Sequence, residues 1–375
     1  MKEEFKAILD RYKAGTATEE DKAFLESWYM QYDEQGEKTY SQTEQIIDAQ
    51  AIWNDLQPVQ AQIRRINPWP RIAAAASVIL CLSVGGYFIL HKKENPQFAA
   101  ISAKNDIPPA GNKAILTLGH GKSIALTDVK NGQLAQQHGA IISKIADGEI
   151  AYHDQPGVKA ASVIYDTLAT PRGGHFQLVL ADGTKAWLNA ATTIRYPETF
   201  SGTERKIELI KGEAYFEVIH DSSKPFKVIT HNQVIEDIGT HFNVSAYDDD
   251  PAVETTLTEG SVKVSDNTQN VILEPGQQSS VRGNNAPIIV KKANLDKTMA
   301  WKNNHFVFNG EGIENIMHEI SRWYDVDVSY EGNMSGKEFV GSVSRSENIS
   351  EVLRKLEETG TLHFSIEGRK IIVKP

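Results

Sequence analysis

Cysteine is almost missing from this chain. Of 375 residues only Cys81 is one, and it lies inside a long apolar run. No disulfide can staple the fold within the chain, and no cysteine-based zinc site can form. Surplus positive charge is missing too. Against 49 Asp and Glu stand 39 Lys and Arg, a net charge of −10. That balance lacks the electrostatic footprint of a nucleic-acid binder, so no direct nucleic-acid contact is expected. Catalytic signatures are also absent: there is no HExxH pair, no Gly-x-Ser-x-Gly elbow and no phosphate-binding loop. No cofactor and no metal is expected.

Two acidic features invite a chemical reading and do not sustain it. Asp248, Asp249 and Asp250 lack the glycine and spaced acids of an EF-hand loop. They read as a solvated turn. Glu213, Tyr215 and Glu217 share one face of a strand by alternation. Two carboxylates four residues apart on a strand are about 13 Å apart, farther than the ~5–10 Å of a glycosidase pair. That face reads as an exposed strand surface.

One long hydrophobic run is present, Ile72 to Leu90, nineteen residues without a charge. As a helix it would be roughly 28 Å long, close to the ~30 Å hydrocarbon thickness of a bilayer. Arg64, Arg65 and Arg71 precede it, and His91, Lys92 and Lys93 follow it. Trp69 and Tyr87 fall near its ends, where amphipathic rings favour the headgroup level. A secretory signal would sit at the extreme N-terminus and be shorter. A core helix apolar on every face would need a very large core. Residues 71–91 are therefore expected to form one transmembrane helix. The excess of arginine before it leans towards a cytoplasmic N-terminus. Within the run Ala73, Ser77, Cys81 and Gly85 recur every four residues. Gly85 and Gly86 weaken a helix, so Cys81, Gly85 and Gly86 mark a candidate stretch for intramembrane proteolysis.

The expected span divides the chain into unlike parts. Residues 1–66 are rich in charge and helix formers. Phe5, Ile8, Leu9 and Tyr12 recur with helical spacing. Thr18-Glu19-Glu20-Asp21 is a capping-box pattern opening a second helix with Phe24, Leu25, Trp28, Tyr29 and Tyr32. A third helix is expected around Ile46, Ala49, Ile52, Trp53 and Leu56. So small an all-α bundle has more large apolar residues than its core needs. Leu25, Trp28, Tyr29 and Trp53 are candidates for a face that a protein partner covers.

Residues 94–165 read as a linker and first β-strands, and 166–292 as an all-β sandwich or solenoid-like domain. Ala114–Leu118 leading to Gly121 and Phe176–Leu180 leading to Gly183 look like two copies of one hairpin. Separate strands are expected at 206–210 and 214–219. Residues 298–375 read as a small α+β module of order βαβ-βαββ. Its expected helix faces are Ile313, Ile316, Met317, Ile320, Tyr324 and Ile349, Val352, Leu353, Leu356. Asn348 is the expected cap of the second helix.

The outer region resembles the FecR-type anti-sigma factor family in its Bacteroidetes-like form. The resemblance rests on ordered motifs: TPRGG (170–174), LADGTKAWLNA (180–190), YPETF (196–200), GEAYFEV (212–218), KPFKV (224–228), IGTHFNVSAY (238–247), TEGSVKV (258–264) and EPGQQ (274–278). WKNNHFVF (301–308) and ISRWYDVDV (320–328) resemble the secretin/TonB short N-terminal domain. This likeness implies a single-pass inner-membrane protein with periplasmic C-terminal domains. Its inner helices would hold an extracytoplasmic-function sigma factor. Its outer part would meet the periplasmic signalling domain of a TonB-dependent outer-membrane transducer. The family likeness also makes Gly239-Thr240 a candidate bond for self-cleavage. No other enzymatic activity is expected. The rival reading is a membrane-anchored periplasmic glycan-binding protein or envelope enzyme.

Overall fold

The computed structural model describes residues 2–33, 106–137, 139–155, 163–231, 233–237, 239–266, 268–283, 286–360 and 362–375. The chain divides into two units, Met1–Lys92 and Lys93–Pro375. The expected third inner helix with Trp53, and the apolar run with Cys81, Gly85 and Gly86, lie outside the described residues. Among the described residues no helix is long and apolar enough to cross a membrane.

The first unit contributes two described helices, α1 (Lys2–Lys13) and α2 (Glu19–Asp33). The capping box is formed. Asp21 N–H donates to Thr18 Oγ1 at 3.2 Å, and Thr18 N–H donates back to the Asp21 carboxylate at 3.2 Å. Two orphan amides are thereby satisfied at the start of α2. Arg11 of α1 grips the same carboxylate with two bonds of 3.0 and 2.8 Å. The Arg11 hydrogen bond is the main reason the Asp21 pKa falls to about 2. Gly15, at φ +73°, makes the turn between the helices.

Among the described residues the body of the second unit has nineteen strands. The first ten are β1 (Gly111–Asn112), β2 (Ile115–Thr117), β3 (Ser123–Ala125), β4 (Gly132–Gln137), β5 (Ala140–Ala146), β6 (Glu149–Asp154), β7 (Tyr165–Ala169), β8 (Gly174–Val179), β9 (Lys185–Leu188) and β10 (Thr193–Pro197). Then come β11 (Arg205–Glu217), β12 (Phe226–Ile229), β13 (Val234–Asp237), β14 (His241–Ala246), β15 (Val253–Glu259), β16 (Val262–Ser265), β17 (Asn270–Leu273), β18 (Gln277–Val281) and β19 (Ile289–Lys292).

Eighteen of them form two sheets around one core, while β1 pairs with the start of β8. In the first the order is β3-β2-β7-β10-β11-β12-β13-β16-β17. In the second it is β4-β5-β6-β8-β9-β11-β14-β15-β18-β19. Among the described residues only β11 belongs to both. The core between the sheets runs from Ala114 to Ile288 and includes Leu116, Ile142, Phe216, Phe242 and Val264.

The expectation of two separate strands at 206–210 and 214–219 is corrected here. They are one strand, β11, that changes sheets midway. Its first half pairs with β10 and β12, and its second half with β9 and β14. Gly212 stands at the crossing with φ +98°. A Cβ there would lie 2.4 Å from Thr192 Cα, so only glycine allows the close approach. The two look-alike hairpins are real. In both, glycine donates back to a leucine carbonyl: Gly121 to Leu118 at 2.7 Å and Gly183 to Leu180 at 2.9 Å.

A short helix, α3 (Leu295–Ala300), leads into the terminal module. Its elements are β20 (His305–Gly312), α4 (Ile313–Tyr324), β21 (Asp327–Tyr330), β22 (Glu338–Ser344), α5 (Ile349–Glu357), β23 (His363–Glu367) and β24 (Lys370–Lys374). This is the βαβ-βαββ order read from the sequence. β20 pairs with β22, while β24 lies between β21 and β23. Every residue of the two expected helix faces is buried. Asn348 does occupy the N-cap of α5, but its side chain makes no capping bond.

Candidate functional site

The terminal module packs against the second sheet, and a polar cleft of about 500 Å³ lies between them. Glu213 lines it. Alternation along β11 turns Glu213, Tyr215 and Glu217 towards the module, and the expectation that this face is exposed is corrected. Tyr215 is only 5 % exposed, because Trp301 and Lys302, just after α3, lie over the sheet. A strand pattern cannot tell water from a second layer on its outer face.

The Glu213 carboxylate accepts Asn189 Nδ2 at 2.8 Å and Asn243 Nδ2 at 3.0 Å. Each amide carries the link onward into the module. Asn243 Oδ1 accepts Trp301 Nε1 at 3.1 Å, and Asn189 Oδ1 accepts Arg345 Nη1 at 3.1 Å. Burial raises the Glu213 pKa above the usual carboxylate range, although both amide bonds pull it down. Burial likewise lowers the Arg345 pKa, with Glu319 and Glu213 opposing. The Arg345 guanidinium lies 4.6 Å from the Phe306 ring centre and 4.7 Å from that of Trp323. Desolvated cation–π contacts of this kind contribute up to ~2 kcal/mol.

Two further clamps flank this centre. Lys302 donates to Glu217 at 3.2 Å and sits 4.2 Å above Trp187 and 4.5 Å above Tyr215. Arg322 of α4 bridges Asp249 at 2.9 Å and Asp250 at 3.3 Å, and lies 3.8 Å over Tyr247. The triple-aspartate segment is therefore a docking contact rather than a merely solvated turn. Asp249, Asp250 and His318 bring ligand-type atoms within 4.8 Å of one another, but the Arg322 guanidinium already bridges both carboxylates. On the other side Arg172 donates to the carbonyls of Ser321 and Val326, and Gly173 N–H donates to Arg322 O at 2.8 Å.

The Glu213 and Glu217 carboxylates are held by different partners, the two amides and Lys302. The residues that the sequence reading missed are Arg345, Glu319, Arg322 and Lys302. The sheet-side partners of Arg322, Lys302 and Arg345 are at least 70 residues away in the chain, while Glu319 acts on Arg345 of the same module.

Gly239-Thr240 lies at the far end of β11. The Thr240 hydroxyl donates to the Asp237 carboxylate, whose pKa burial raises. Gly239 has φ +103°, and a Cβ there would come within 2.6 Å of His220 Nδ1. Thr240 is buried, and its carbonyl accepts Val218 N–H at 3.1 Å. These are the groups that an attack on the preceding carbonyl would need: a hydroxyl, a carboxylate to take its proton, and a glycine before it. In the first unit Leu25 is half-buried on α2, and Trp28 and Tyr29 belong to the same helix. Tyr12 and Phe24 are 55 % and 49 % exposed.

Residues 166–263 match the FecR protein family, and residues 305–373 match the FecR C-terminal domain. The two matches fall on the two sides of the polar cleft. The chain carries the domain pair of FecR-type proteins. Its fold is similar to a crystal structure at 1.65 Å of a proposed anti-sigma factor from Parabacteroides distasonis ATCC 8503. The TM-score is 0.51 and the identity 29 %, over 55 % of this chain and 97 % of that one. A second structure from the same organism, at 2.50 Å and also described as a proposed anti-sigma factor, gives a TM-score of 0.52 at 28 % identity, over 56 % of this chain and 99 % of that one. No curated protein matches the chain. Six family motifs converge on the cleft. LADGTKAWLNA, GEAYFEV, IGTHFNVSAY and EPGQQ supply the sheet side, and WKNNHFVF and ISRWYDVDV the module side.

Proposed function

We propose that this FecR-type protein is a single-pass inner-membrane anti-sigma factor. Its N-terminal helices hold an extracytoplasmic-function sigma factor in the cytoplasm and keep it from RNA polymerase. Its periplasmic part takes the signalling domain of a TonB-dependent outer-membrane transducer. A signal arriving there is passed inward, and proteolysis of the chain releases the sigma factor. The observation that carries this reading is the ordered pair of FecR matches downstream of a helical hairpin and a span-length apolar run. The exposed rings of Tyr12 and Phe24 support a partner on the hairpin, since a monomer gains little from leaving them in water.

The test is co-purification. The full chain and the sigma factor encoded beside it are co-expressed, and the complex is captured through either partner. Truncating a buried aromatic anchor commonly costs ~2 kcal/mol or more at an interface. Trp28→Ala with Trp53→Ala is therefore expected to abolish capture and derepress the sigma-dependent genes while protein levels hold. Unchanged repression at normal levels would overturn the assignment of these residues.

A further inference from the structure

The first described segment of the second unit is fastened on both sides. Asp106 Oδ2 accepts the Ser350 hydroxyl at 2.5 Å, and Asp106 Oδ1 accepts Ser350 N–H at 3.3 Å. The Ile107 carbonyl accepts Ile349 N–H at 3.0 Å. The Ile107 side chain is 5 % exposed and is part of the terminal module's own core. Ile349 and Ser350 are the first two residues of α5, whose N-terminal amides need acceptors. Asn348 provides none from its side chain, so Asp106 serves as the cap from the other end of the second unit. A carboxylate is also the group that the helix dipole favours there.

A few residues on, the same segment joins the sandwich. β1 lies parallel to the start of β8, with Gly111 opposite Gly174 and Asn112 opposite His175. Gly111 N–H donates to Gly173 O at 3.2 Å, and Asn112 Nδ2 donates to Asp147 at 3.0 Å. The strap thus ties helix α5 to the loop that also carries Arg172.

We propose that residues 106–112 are a release latch that couples the terminal module to the membrane-side chain. The idea rests on the reading of residues 71–91 as a span, since that places the latch just outside the bilayer. While the latch is closed, its backbone is bonded to the module and to the sandwich. A protease needs several residues in an extended, unpaired state, so the closed segment is a poor substrate. A partner that shifts α5 removes the acceptor geometry for Ser350 and Ile349 and draws Ile107 out of its core. The same stretch then becomes cleavable. A signal received at the module is converted into access at the membrane side without any large rearrangement of the sandwich.

The test uses the full-length protein in detergent micelles. It is digested briefly with thermolysin, and the cuts are located by mass spectrometry. Asp106→Ala with Ser350→Ala is expected to speed cutting within 106–112 about tenfold, the scale of losing one helix cap. Cuts in the sandwich should keep their rates. Arg354→Ala is the control, because Arg354 lies on α5 and bonds Glu351 and Glu358, not Asp106. Should the double variant fail to fold, Asp106→Asn retains an acceptor oxygen and is expected to give an intermediate rate. Unchanged cutting at 106–112, or equal acceleration by Arg354→Ala, would overturn the latch. Faster cutting with an unchanged sigma-dependent reporter in cells would uphold the latch and count instead against the anti-sigma reading.

Discussion

The Glu213 carboxylate is held by two amides and reaches Trp301 and Arg345 through them. Its pKa is raised, with burial the leading cause. A folded pKa above the unfolded one gives stability that is fully present below the unfolded value and is lost as pH rises through the folded value. The wild-type advantage over Glu213→Gln is thus expected to be greatest below the ordinary value of 4.5 and to shrink as pH rises. At neutral pH the variant still loses about 1–3 kcal/mol, because its amide group faces one of the two amide donors. Urea unfolding across pH reads both quantities, and an advantage that grows with pH would overturn the sign. Thr240 is the other residue whose role can be isolated. Attack of its Oγ on the Gly239 carbonyl carbon would break the Gly239–Thr240 peptide bond and pass the proton to the freed Thr240 amine. The Asp237 carboxylate is placed to take the hydroxyl proton in between. Water then hydrolyses the ester, leaving a carboxylate at Gly239. Mass spectrometry of the purified protein should find a fragment starting at Thr240 that vanishes in Thr240→Ala. One intact chain after long incubation would retire the reaction.

Among elements, β11 decides how the two sheets meet, and one glycine decides β11. A Cβ on Gly212 would sit 2.4 Å from Thr192 Cα and from Thr192 Oγ1. The first of these is backbone and cannot rotate away. Gly212→Ala is expected to cost about 3 kcal/mol or more, combining steric overlap with a left-handed φ. Gly183→Ala is the comparison. Its φ of +85° is similar, but a Cβ there meets only Ile219, at 3.6 Å, which is ordinary contact. It should lose only the ~1–2 kcal/mol of backbone strain. Equal losses in guanidinium unfolding would show that close approach is not what Gly212 provides. The same contrast explains what the sequence could disclose. The faces of α4 and α5 were legible because their apolar residues repeat with helical spacing and each faces a single core. The two hairpins were legible from their glycine turns. The sheet change in β11 was not, because Gly212 looks like a turn glycine when only its neighbours are known. Nor was the covered face of Glu213 and Tyr215. Alternation gives the side of a strand, while the layer above it is supplied by Trp301 and Lys302, more than 80 residues later.

At the scale of the whole molecule the proposed relay needs the two units on opposite sides of a bilayer, with one apolar run between them. Alkaline phosphatase folds into an active enzyme only outside the cytoplasm. A fusion after Asn112 is expected to be active and a fusion after Leu56 inactive. The reverse pattern would place the helical hairpin outside and end the sigma-factor reading. The run itself carries the last step. Gly costs a helix ~1 kcal/mol per position relative to Ala, so Gly85 and Gly86 together make one stretch easier to unwind. An intramembrane protease must unwind its substrate before it can reach a peptide bond, because helical amides and carbonyls are already paired. Cleavage is therefore expected between about Ser77 and Tyr87, near Cys81, once the outer part has been cut. Replacing Gly85 and Gly86 with Leu keeps the run apolar and long enough to span, while removing the loose turn. The variant should insert normally, lose its outer part on signalling, and still keep the cytoplasmic fragment in the membrane fraction. Sigma-dependent transcription would then stay low after the stimulus. Soluble fragment released at the wild-type rate would show that the glycine pair does not govern the cut.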